Sequence, residues 1–163
     1  GLYPTTLPSP LGMEASGVVE EVGPGVTEFE EGDRVAYASR PLGSYSKKRV
    51  FPVENLIKIP NDISDELAAA IMLKGMTAEY LVRRTFAVKA GQTVLFHAAA
   101  GGVGLIACQW LKAIGANVIG TVGSEEKAEL AKNNGCDHTI LYKKESFVEK
   151  TRGNTCCKWI QTC

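Results

Sequence analysis

The sequence predicts an α/β protein in which a β-rich first part is followed by half of a doubly wound parallel sheet. Up to about residue 75, short apolar runs are broken by glycine and proline, as in antiparallel strands and their turns. From about Met76 the pattern changes to helices alternating with strands over short connections, which is typical of parallel βαβ units. A chain of 163 residues has room for one domain or two small ones.

The β-rich part contains three strand candidates and one helix. The predicted strands are Ser16–Gly23, Asp33–Ala38 and Ser44–Val53. A short helix is predicted over Ser64–Leu73, because the Ser64 hydroxyl can accept from the free N–H groups of a first turn. Asp65 and Glu66 suit the positive end of that helix.

The second part is predicted to have a βαβαβ core. Its predicted elements are a helix over Met76–Phe86, a strand over Thr93–His97, a helix over Gly102–Ile114, a strand over Asn117–Val122, a helix over Glu125–Asn134 and a strand over His138–Tyr142. Gly115 and Gly135 end two of the helices, and Ser124 caps one. This order is that of the mononucleotide-binding half of a Rossmann sheet.

A glycine loop joins the first of these strands to its helix. Ala99–Gly104 fits the pattern A-x-G-x-x-G, with Ala99 in place of the first glycine. Gly101 would let the backbone approach a pyrophosphate, and Gly104 would let the helix pack closely on the strand. The N–H groups of Gly102 and Val103 would then point at the phosphates. The alternative is a small-residue turn of an α/β protein that binds no ligand.

The turn after the second strand indicates which nucleotide the loop would hold. NAD sites carry an acidic residue there, about 20 residues beyond the glycine fingerprint, whereas this strand ends in Gly123 and Ser124. A hydroxyl with Lys127 nearby would hold a 2′-phosphate through charge-assisted hydrogen bonds, which favours NADPH. Two alternatives stay open: a loop shift could make Glu125 a ribose ligand, and Lys127 could be a surface lysine paired with Glu125 or Glu126.

Composition argues against several classes of partner. Eighteen basic residues balance eighteen acidic ones, so nothing favours nucleic acid or an anionic membrane as the main partner. No apolar run is long enough to span a bilayer, and no signal pattern begins the chain. Five cysteines without a C-x-x-C pair predict free thiols and a cytoplasmic protein. A first residue that is Gly1 instead of Met indicates a fragment or a processed product.

Several segments together resemble one protein family. They are "GLYP", "LGMEASGVVEEVGPGV", "GDRVAYA", "LKGMTAEYL", "FHAAAGGVGLIACQWLKAIGA" and "GTVGSEEKA". They resemble the zinc-free NADPH:quinone oxidoreductase (ζ-crystallin-like) branch of the medium-chain dehydrogenase/reductase superfamily. The resemblance implies a partial GroES-like catalytic domain over residues 1–75, a partial Rossmann NADPH-binding domain over 76–150 and an atypical C-terminal tail over 151–163. It also implies a quinone substrate and a homodimer.

The zinc ligands of the superfamily's alcohol dehydrogenases are missing. Where those enzymes have a G-H-E motif, this sequence reads Gly12-Met13-Glu14. The cysteine ligand expected just before "TA" falls on Leu73-Lys74, and the four clustered cysteines of the structural zinc lobe are absent from the sequence. Since zinc needs thiolate, imidazole or carboxylate ligands in a tetrahedral cluster, we expect no metal.

The resemblance also implies a set of site residues. In the catalytic region these are Tyr3, lining the quinone pocket, and Thr77; the cofactor set is Tyr80 by the nicotinamide half, Gly101, Gly102, Val103 and Gly104 in the pyrophosphate loop, and Gly123, Ser124, Lys127 and Tyr142 at the adenosine 2′-phosphate end. The alternatives are structural: Thr77 as a helix start, Tyr80 and Tyr142 as packing residues, and Tyr3 as a disordered end. His97 is left out, because a strand-end histidine among small residues is more often structural.

The sequence contains three of the six strands of a full doubly wound sheet, so it looks like an incomplete member of the family. The first strand, "TVLF", is therefore expected to have an unpaired apolar edge unless another segment covers it. The tail suggests a frameshift, an alternative C-terminus or an unusual domain end. The function predicted is NADPH-dependent quinone reduction by hydride or one-electron transfer. The alternatives are a non-enzymatic nucleotide-binding or interaction fragment, and a reductase of activated alkenes.

Overall fold

A computed structural model describes residues 6–153 and 161–162, and the chain divides into two compact units, Gly1–Leu73 and Lys74–Cys163. Tyr3, predicted to line a substrate pocket, lies outside the described residues. Within the described part, no helix is both long and apolar enough to cross a membrane.

The first unit contains a three-stranded antiparallel sheet. Its strands are β1 (Glu14–Val18), β2 (Arg34–Ala38) and β3 (Ile57–Lys58), in the order β1-β2-β3. A small core of Ala36, Ile59, Ala68 and Met72 packs in this unit. Arg34 joins β2 to the start of the following helix. Its Nη2 donates to Asp65 Oδ1 at 2.8 Å and to the Ile63 carbonyl at 2.7 Å.

The predicted strand over Ser44–Val53 is wrong. That segment is irregular and leads into a 3₁₀ turn over Val53–Asn55, and the third strand is the unpredicted β3. Both sides of β2 are already paired, with β1 and with β3. The aromatic and basic residues of the segment pack instead: the Arg49 guanidinium lies 4.7 Å from the Phe51 ring centroid and donates to the Tyr37 hydroxyl at 3.0 Å. The alternation of apolar and polar residues over Ser44–Val53 therefore reflects packing of Arg49 and Tyr37 against the Phe51 ring, and no strand pairs there.

A single long helix replaces two predicted ones. Helix α1 runs from Asp65 to Glu79 and continues as a π-helical turn over Tyr80–Thr85. The Ser64 cap is confirmed, because the Leu67 N–H donates to Ser64 Oγ at 3.2 Å. The predicted break near Gly75 is wrong: a glycine inside a helix costs only about 1 kcal/mol relative to alanine, which does not end a helix that packs well.

The second unit holds a parallel sheet in the order β6-β5-β4-β7. Its elements are β4 (Thr93–Phe96), α2 (Gly102–Ile114), β5 (Asn117–Val122), α3 (Glu125–Asn133), β6 (His138–Leu141), α4 (Phe147–Gly153) and β7 (Gln161–Thr162). The predicted βαβαβ core is confirmed. Gly115 ends α2 in the left-handed conformation with a φ of 87°, which glycine adopts without strain.

The two faces of this sheet are both buried. Val94, Phe96, Val118 and Val122 belong to the larger core with Leu111 of α2. Residues that alternate with them along the strands, Leu95, Ile119 and Ile140, form a separate buried cluster. Strands that are apolar on both faces are typical of parallel sheets with cover on each side.

The "TVLF" edge was expected to be unpaired unless another segment covers it, and β7 covers it at two residues. Gln161 pairs with Val94, and Thr162 pairs with Leu95, in parallel register. In a doubly wound sheet of order 3-2-1-4 the fourth strand takes this position. Here a two-residue strand from the tail takes it, because the exposed N–H and C=O groups of an edge strand accept any extended segment that can reach them.

Candidate nucleotide-binding site

The glycine loop is a tight turn in which backbone groups approach each other closely. The Gly101 N–H donates to the Ala98 carbonyl at 2.8 Å, and α2 begins at the next residue. A Cβ on Gly104 would lie 2.4 Å from the Ala98 oxygen and 2.6 Å from the Ala99 oxygen. Only a residue without a side chain fits at that position, so Gly104 has the close-packing role expected of it.

Thr121 of β5 holds the start of this loop. The Ala99 N–H donates to the Thr121 carbonyl at 3.1 Å, and the Thr121 hydroxyl lies 3.1 Å from Nδ1 of His97. Between those residues Ala98 has a φ of 53°, a left-handed conformation that is uncommon for residues other than glycine. Hydrogen bonds on either side therefore hold a strained residue at the entrance of the loop.

Gly120 of β5 lies directly against Ala99 of the glycine loop, and sequence analysis did not identify it. A Cβ at Gly120 would come within 2.5 Å of Ala99 Cβ and 2.7 Å of Cys136 Sγ. Ala99 is fully buried, and its methyl group occupies the space that a side chain on Gly120 would need. The available signal was a glycine inside an otherwise apolar strand, which often marks a close backbone approach.

The first turn of α2 fits an anionic ligand. The first N–H groups of any α-helix lack intrahelical acceptors, and here the N-cap is Gly101, which has no side chain to cap them. The turn carries no acidic residue, and Gly102 is exposed. Gly102 and Val103 therefore present backbone donors at the positive end of the helix dipole, as a pyrophosphate requires.

The turn after β5 brings together the residues predicted for the 2′-phosphate. Ser124 caps α3, its Oγ accepting from the Lys127 N–H at 3.3 Å, which confirms the predicted cap. The Tyr142 hydroxyl lies 3.0 Å from the position of a Cβ on Gly123, so the half-exposed ring covers this glycine. Ser124, Lys127 and Tyr142 thus surround one exposed turn.

Glu125, the residue that complicated the choice of nucleotide, faces another partner. Its Oε1 pairs with Lys144 Nζ at 2.9 Å, and both side chains are largely exposed. The pair adds a second lysine to the surroundings of the turn. An exposed pair of this kind contributes little to stability. The Glu125 carboxylate therefore points toward Lys144 but is held there only weakly.

The second half of α1 carries the residues predicted for the nicotinamide end. Thr77 is half-buried, and Tyr80 is 51% exposed at the start of the π-helical turn. Three residues before Thr77, the side chain of Lys74 packs on Gly102, its Cδ 2.8 Å from the position of a Cβ on that glycine. Lys74 is a second residue that sequence analysis did not propose for the site.

Asp137 anchors the other end of the sheet. Its Oδ2 accepts from the Val118 N–H at 2.8 Å, and its Oδ1 accepts from Lys112 Nζ. Although burial of the carboxyl raises its pKa, the hydrogen bonds from Lys112 and Val118 outweigh that effect and lower the pKa below 3.8. The carboxylate therefore stays ionised and joins the end of α2 to the start of β5.

Two buried thiols lie under the loop. Cys108 of α2 contacts Cys136, whose Sγ also donates to the His138 carbonyl at 3.0 Å. The hydrogen bond with Cys136, together with burial, raises the pKa of the Cys108 thiol. In the described part of the chain, no group of three or more His, Cys, Asp or Glu side chains is arranged to hold a metal ion.

Fold and loop together define the first part of a Rossmann-type α/β unit preceded by a β-rich unit. Residues 1–92 match the family "Alcohol dehydrogenase GroES-like domain", and residues 102–156 match "Zinc-binding dehydrogenase". The chain belongs to this alcohol dehydrogenase family of the medium-chain dehydrogenase/reductase superfamily. The resemblance noted in the sequence is thereby confirmed.

The relatives it matches are about twice as long. A quinone oxidoreductase of Pseudomonas aeruginosa is 54% identical over 161 residues, which are 96% of this chain and 50% of that protein. A 2-haloacrylate reductase of a Burkholderia species is 54% identical over 89% of this chain and 44% of its own length. The crystal structure of Escherichia coli quinone oxidoreductase complexed with NADPH superimposes with a TM-score of 0.90 at 50% identity, over 94% of this chain and 47% of that one.

Proposed function

We propose that this chain is the part of a zinc-independent, NADPH-dependent quinone reductase that holds the pyrophosphate and the adenosine 2′-phosphate. One observation carries the proposal: an α2 N-terminus without a side-chain cap follows a glycine loop in which backbone atoms exclude a side chain at Gly104, in a chain 50% identical to an NADPH-bound quinone oxidoreductase. NAD-type recognition of the ribose is disfavoured by Ser124 in place of a carboxylate and by the pairing of Glu125 with Lys144.

In this proposal each end of the nucleotide has its own residues. Gly101, Gly102, Val103 and Gly104 form the pyrophosphate loop, and Gly123, Ser124, Lys127 and Tyr142 surround the 2′-phosphate. Tyr80 and Thr77 lie toward the nicotinamide half. Residues 1–75 are proposed as part of the catalytic GroES-like domain and 76–150 as part of the NADPH-binding domain, with 151–163 as an atypical tail.

The chemistry asked of the protein is mainly orientation. When bound, NADPH supplies a hydride, and a quinone that gains the hydride and one proton becomes a hydroquinone; transfer of single electrons is the other possible mode. Because a quinone is already electrophilic, its reduction needs a fixed geometry and a polar contact to the developing oxyanion, not a Lewis acid. Hydroxyl groups such as those of Thr77 and Tyr3 can supply that contact.

A second substrate class is favoured by one observation. The relative that is 54% identical and named 2-haloacrylate reductase suggests an activated alkene as acceptor. The alternative of a non-enzymatic nucleotide-binding or interaction fragment is the other function to be tested. We further propose a cytoplasmic location, because the cysteines indicate free thiols, and a homodimer, which the family resemblance implies. Neither nucleic acid nor a membrane is proposed as main partner, because the positive and negative charges balance.

Two measurements on the 163-residue chain separate these functions. Nucleotide binding is followed by fluorescence titration with NADPH and with NADH, and turnover is then measured with 1,4-benzoquinone and with 2-chloroacrylate. We expect NADPH to bind at least about tenfold more tightly than NADH, a difference of about 1.4 kcal/mol. Turnover of the quinone supports the reductase, turnover of the haloacrylate alone supports the alkene reductase, and binding without turnover supports the non-enzymatic fragment. Tighter binding of NADH would contradict the assignment of Ser124 and Lys127.

A further inference from the structure

His97 directly follows β4 and precedes the glycine loop, and its side chain is exposed. One nitrogen of its ring, Nδ1, lies 3.1 Å from the hydroxyl oxygen of Thr121. That hydroxyl is fixed in place, because Thr121 belongs to β5 and is only 3% exposed. The His97 ring also meets the Phe147 ring edge to face, with 5.3 Å between the ring centroids. These two contacts hold an exposed imidazole in one orientation.

The Thr121 hydroxyl determines which nitrogen of the His97 ring carries the proton. A hydroxyl has one hydrogen to donate, and a buried one is costly to leave without an acceptor. In the part of the chain that the structure describes, two polar groups contact this hydroxyl: the Ala98 N–H, at 3.4 Å, and His97 Nδ1. Because an N–H cannot accept, the hydroxyl donates to Nδ1. The neutral imidazole therefore carries its proton on Nε2.

The His97 ring and helix α2 lie on opposite faces of the parallel sheet. Leu95 and Ile119 form a cluster separate from the core that α2 covers. Thr121 lies two residues after Ile119 on β5, so Thr121 and the ring that contacts it are on the face of that cluster. The strand order reverses at β4, and in sheets of this kind a ligand binds outside the carboxyl ends of the strands at the reversal. His97 and the glycine loop thus flank this place from the two faces of the sheet.

We propose that His97 is a cofactor-binding residue whose Nε2–H donates to an oxygen of the dinucleotide, on the nicotinamide side of the adenosine. The inference rests on the proposed function, because the acceptor belongs to the bound nucleotide. The two ring nitrogens are on opposite sides of the carbon between them, so an imidazole whose Nδ1 faces Thr121 directs its Nε2–H away from that residue. The acceptor oxygens shared by NADPH and NADH there are those of the pyrophosphate and of the second ribose. Thr121 is then a positioning residue, which acts through His97.

Asparagine and glutamine separate the roles of the two ring nitrogens. The side-chain amide of asparagine reaches about as far as Nδ1, and that of glutamine about as far as Nε2. We expect His97→Asn to weaken binding of both NADPH and NADH by at least about tenfold. His97→Gln restores a donor at the place of Nε2 and should recover most of the affinity for both dinucleotides.

Three nucleotide fragments locate the acceptor oxygen. Because 2′-AMP has neither a pyrophosphate nor a second ribose, its affinity for His97→Asn should stay within about twofold of wild type. A loss of affinity that is already present with ADP assigns the acceptor to the pyrophosphate. A loss that appears with ADP-ribose and not with ADP assigns it to the second ribose.

The tautomer of His97 can be measured without any nucleotide. Long-range proton–nitrogen correlation NMR at alkaline pH distinguishes a protonated ring nitrogen from an unprotonated one, and the chain has only two histidines, His97 and His138. We expect Nε2–H in the wild-type chain and a mixture of tautomers in Thr121→Val, which lacks the hydroxyl. His138→Asn is the matched control, because His138 is exposed on β6 and should leave every affinity unchanged. Circular dichroism and thermal unfolding verify that each variant is folded before the titrations.

Each outcome bears on one proposal or on both. If the wild-type chain binds no NADPH, the proposed function fails and the role of His97 fails with it. If the wild-type chain binds NADPH and a folded His97→Asn variant binds it equally well, the role of His97 alone is overturned. The role is also overturned if His97→Gln loses as much affinity as His97→Asn, or if 2′-AMP is weakened as much as the dinucleotides. A loss that appears with neither ADP nor ADP-ribose, or a proton found on Nδ1, overturns it as well.

Discussion

The two ends of the proposed nucleotide site are built by different means. At the glycine loop the backbone defines the shape: the Gly101 N–H donates to the Ala98 carbonyl at 2.8 Å, and a Cβ on Gly104 would collide with two carbonyl oxygens. At the turn after β5, exposed side chains of Ser124, Lys127 and Tyr142 define the surroundings. The first end can change little without loss of the fold, whereas the second can change its chemistry at small cost.

The largest effect is expected from Gly104→Ala. The added methyl group would lie 2.4 Å from the Ala98 oxygen, which is backbone and cannot move aside. We expect a loss of about 3 kcal/mol in the free energy of unfolding, measured by urea denaturation, and loss of binding of both NADPH and NADH. Gly75→Ala is the matched control, because no atom lies within 4 Å of its Cβ and alanine favours a helix by up to about 1 kcal/mol. An unchanged stability for Gly104→Ala would mean that the loop is loosely packed.

Asp137→Asn tests the hydrogen bonds that Asp137 accepts from Val118 and Lys112, outside both ends of the proposed nucleotide site. Removing the charge weakens the bonds from Val118 and Lys112, and we expect a loss of about 1–2 kcal/mol at neutral pH. Since the pKa of the folded carboxyl lies below 3.8, its contribution is present above that pH and disappears as the pH falls through the lower folded value. Wild type and variant should therefore converge on acidification.

Urea unfolding at pH 7 and at successively lower pH measures this convergence. Glu129→Gln is the control, because Glu129 is 70% exposed and its pair with Lys132 should contribute less than about 0.5 kcal/mol. A difference between Asp137→Asn and wild type that persists unchanged at low pH would show that the asparagine perturbs packing and not charge.

Ser124→Ala should have a smaller effect on stability and a selective effect on binding. Loss of the α3 cap is expected to cost about 1 kcal/mol. NADPH affinity should fall by about tenfold while NADH affinity stays within about twofold, because only NADPH has the 2′-phosphate. Ser146→Ala removes a comparable hydroxyl from the start of α4, where the Glu149 N–H donates to Ser146 Oγ, and should leave nucleotide preference unaltered. Equal weakening of both nucleotides by Ser124→Ala would remove Ser124 from the 2′-phosphate site.

The smallest effect is expected from Glu125→Gln. The pair with Lys144 is exposed, so the free energy of unfolding should change by less than about 0.5 kcal/mol. NADH affinity, measured by titration, should stay within about twofold of wild type. A tenfold loss of NADH affinity would instead identify Glu125 as a ribose ligand, the alternative left open by the sequence.

Prediction from sequence succeeded where the signals were local. The observed bounds of α2 and β5 coincide with the predicted ones, because Gly101 and Gly102 at one end and the left-handed Gly115 at the other mark the limits of the helix within the segment itself. The strand predicted over Ser44–Val53 failed because a strand needs a distant partner, and β2 has both its sides occupied. For a related reason the sequence left open whether another segment covers the edge of β4, since β7 comes from the far end of the chain.

The same distinction applies to the candidate site. Its glycines and Ser124 follow from motifs and caps, which the sequence displays directly. The contacts of Gly120 with Ala99 and of Lys74 with Gly102 do not, because they join residues that are distant in sequence. A glycine inside an apolar strand and a lysine in the middle of a helix are too common to single out without those contacts.

The buried thiols of Cys108 and Cys136 offer a way to measure how often the second unit opens. Burial and the raised pKa of Cys108 keep its thiolate fraction negligible in the closed state, so alkylation must wait for the sheet and α2 to separate. The rate at which the Cys108 thiol reacts, followed by peptide mass spectrometry, then reports the opening free energy of the unit without any denaturant. A nucleotide that clamps the loop above that thiol should slow that reaction in proportion to its occupancy.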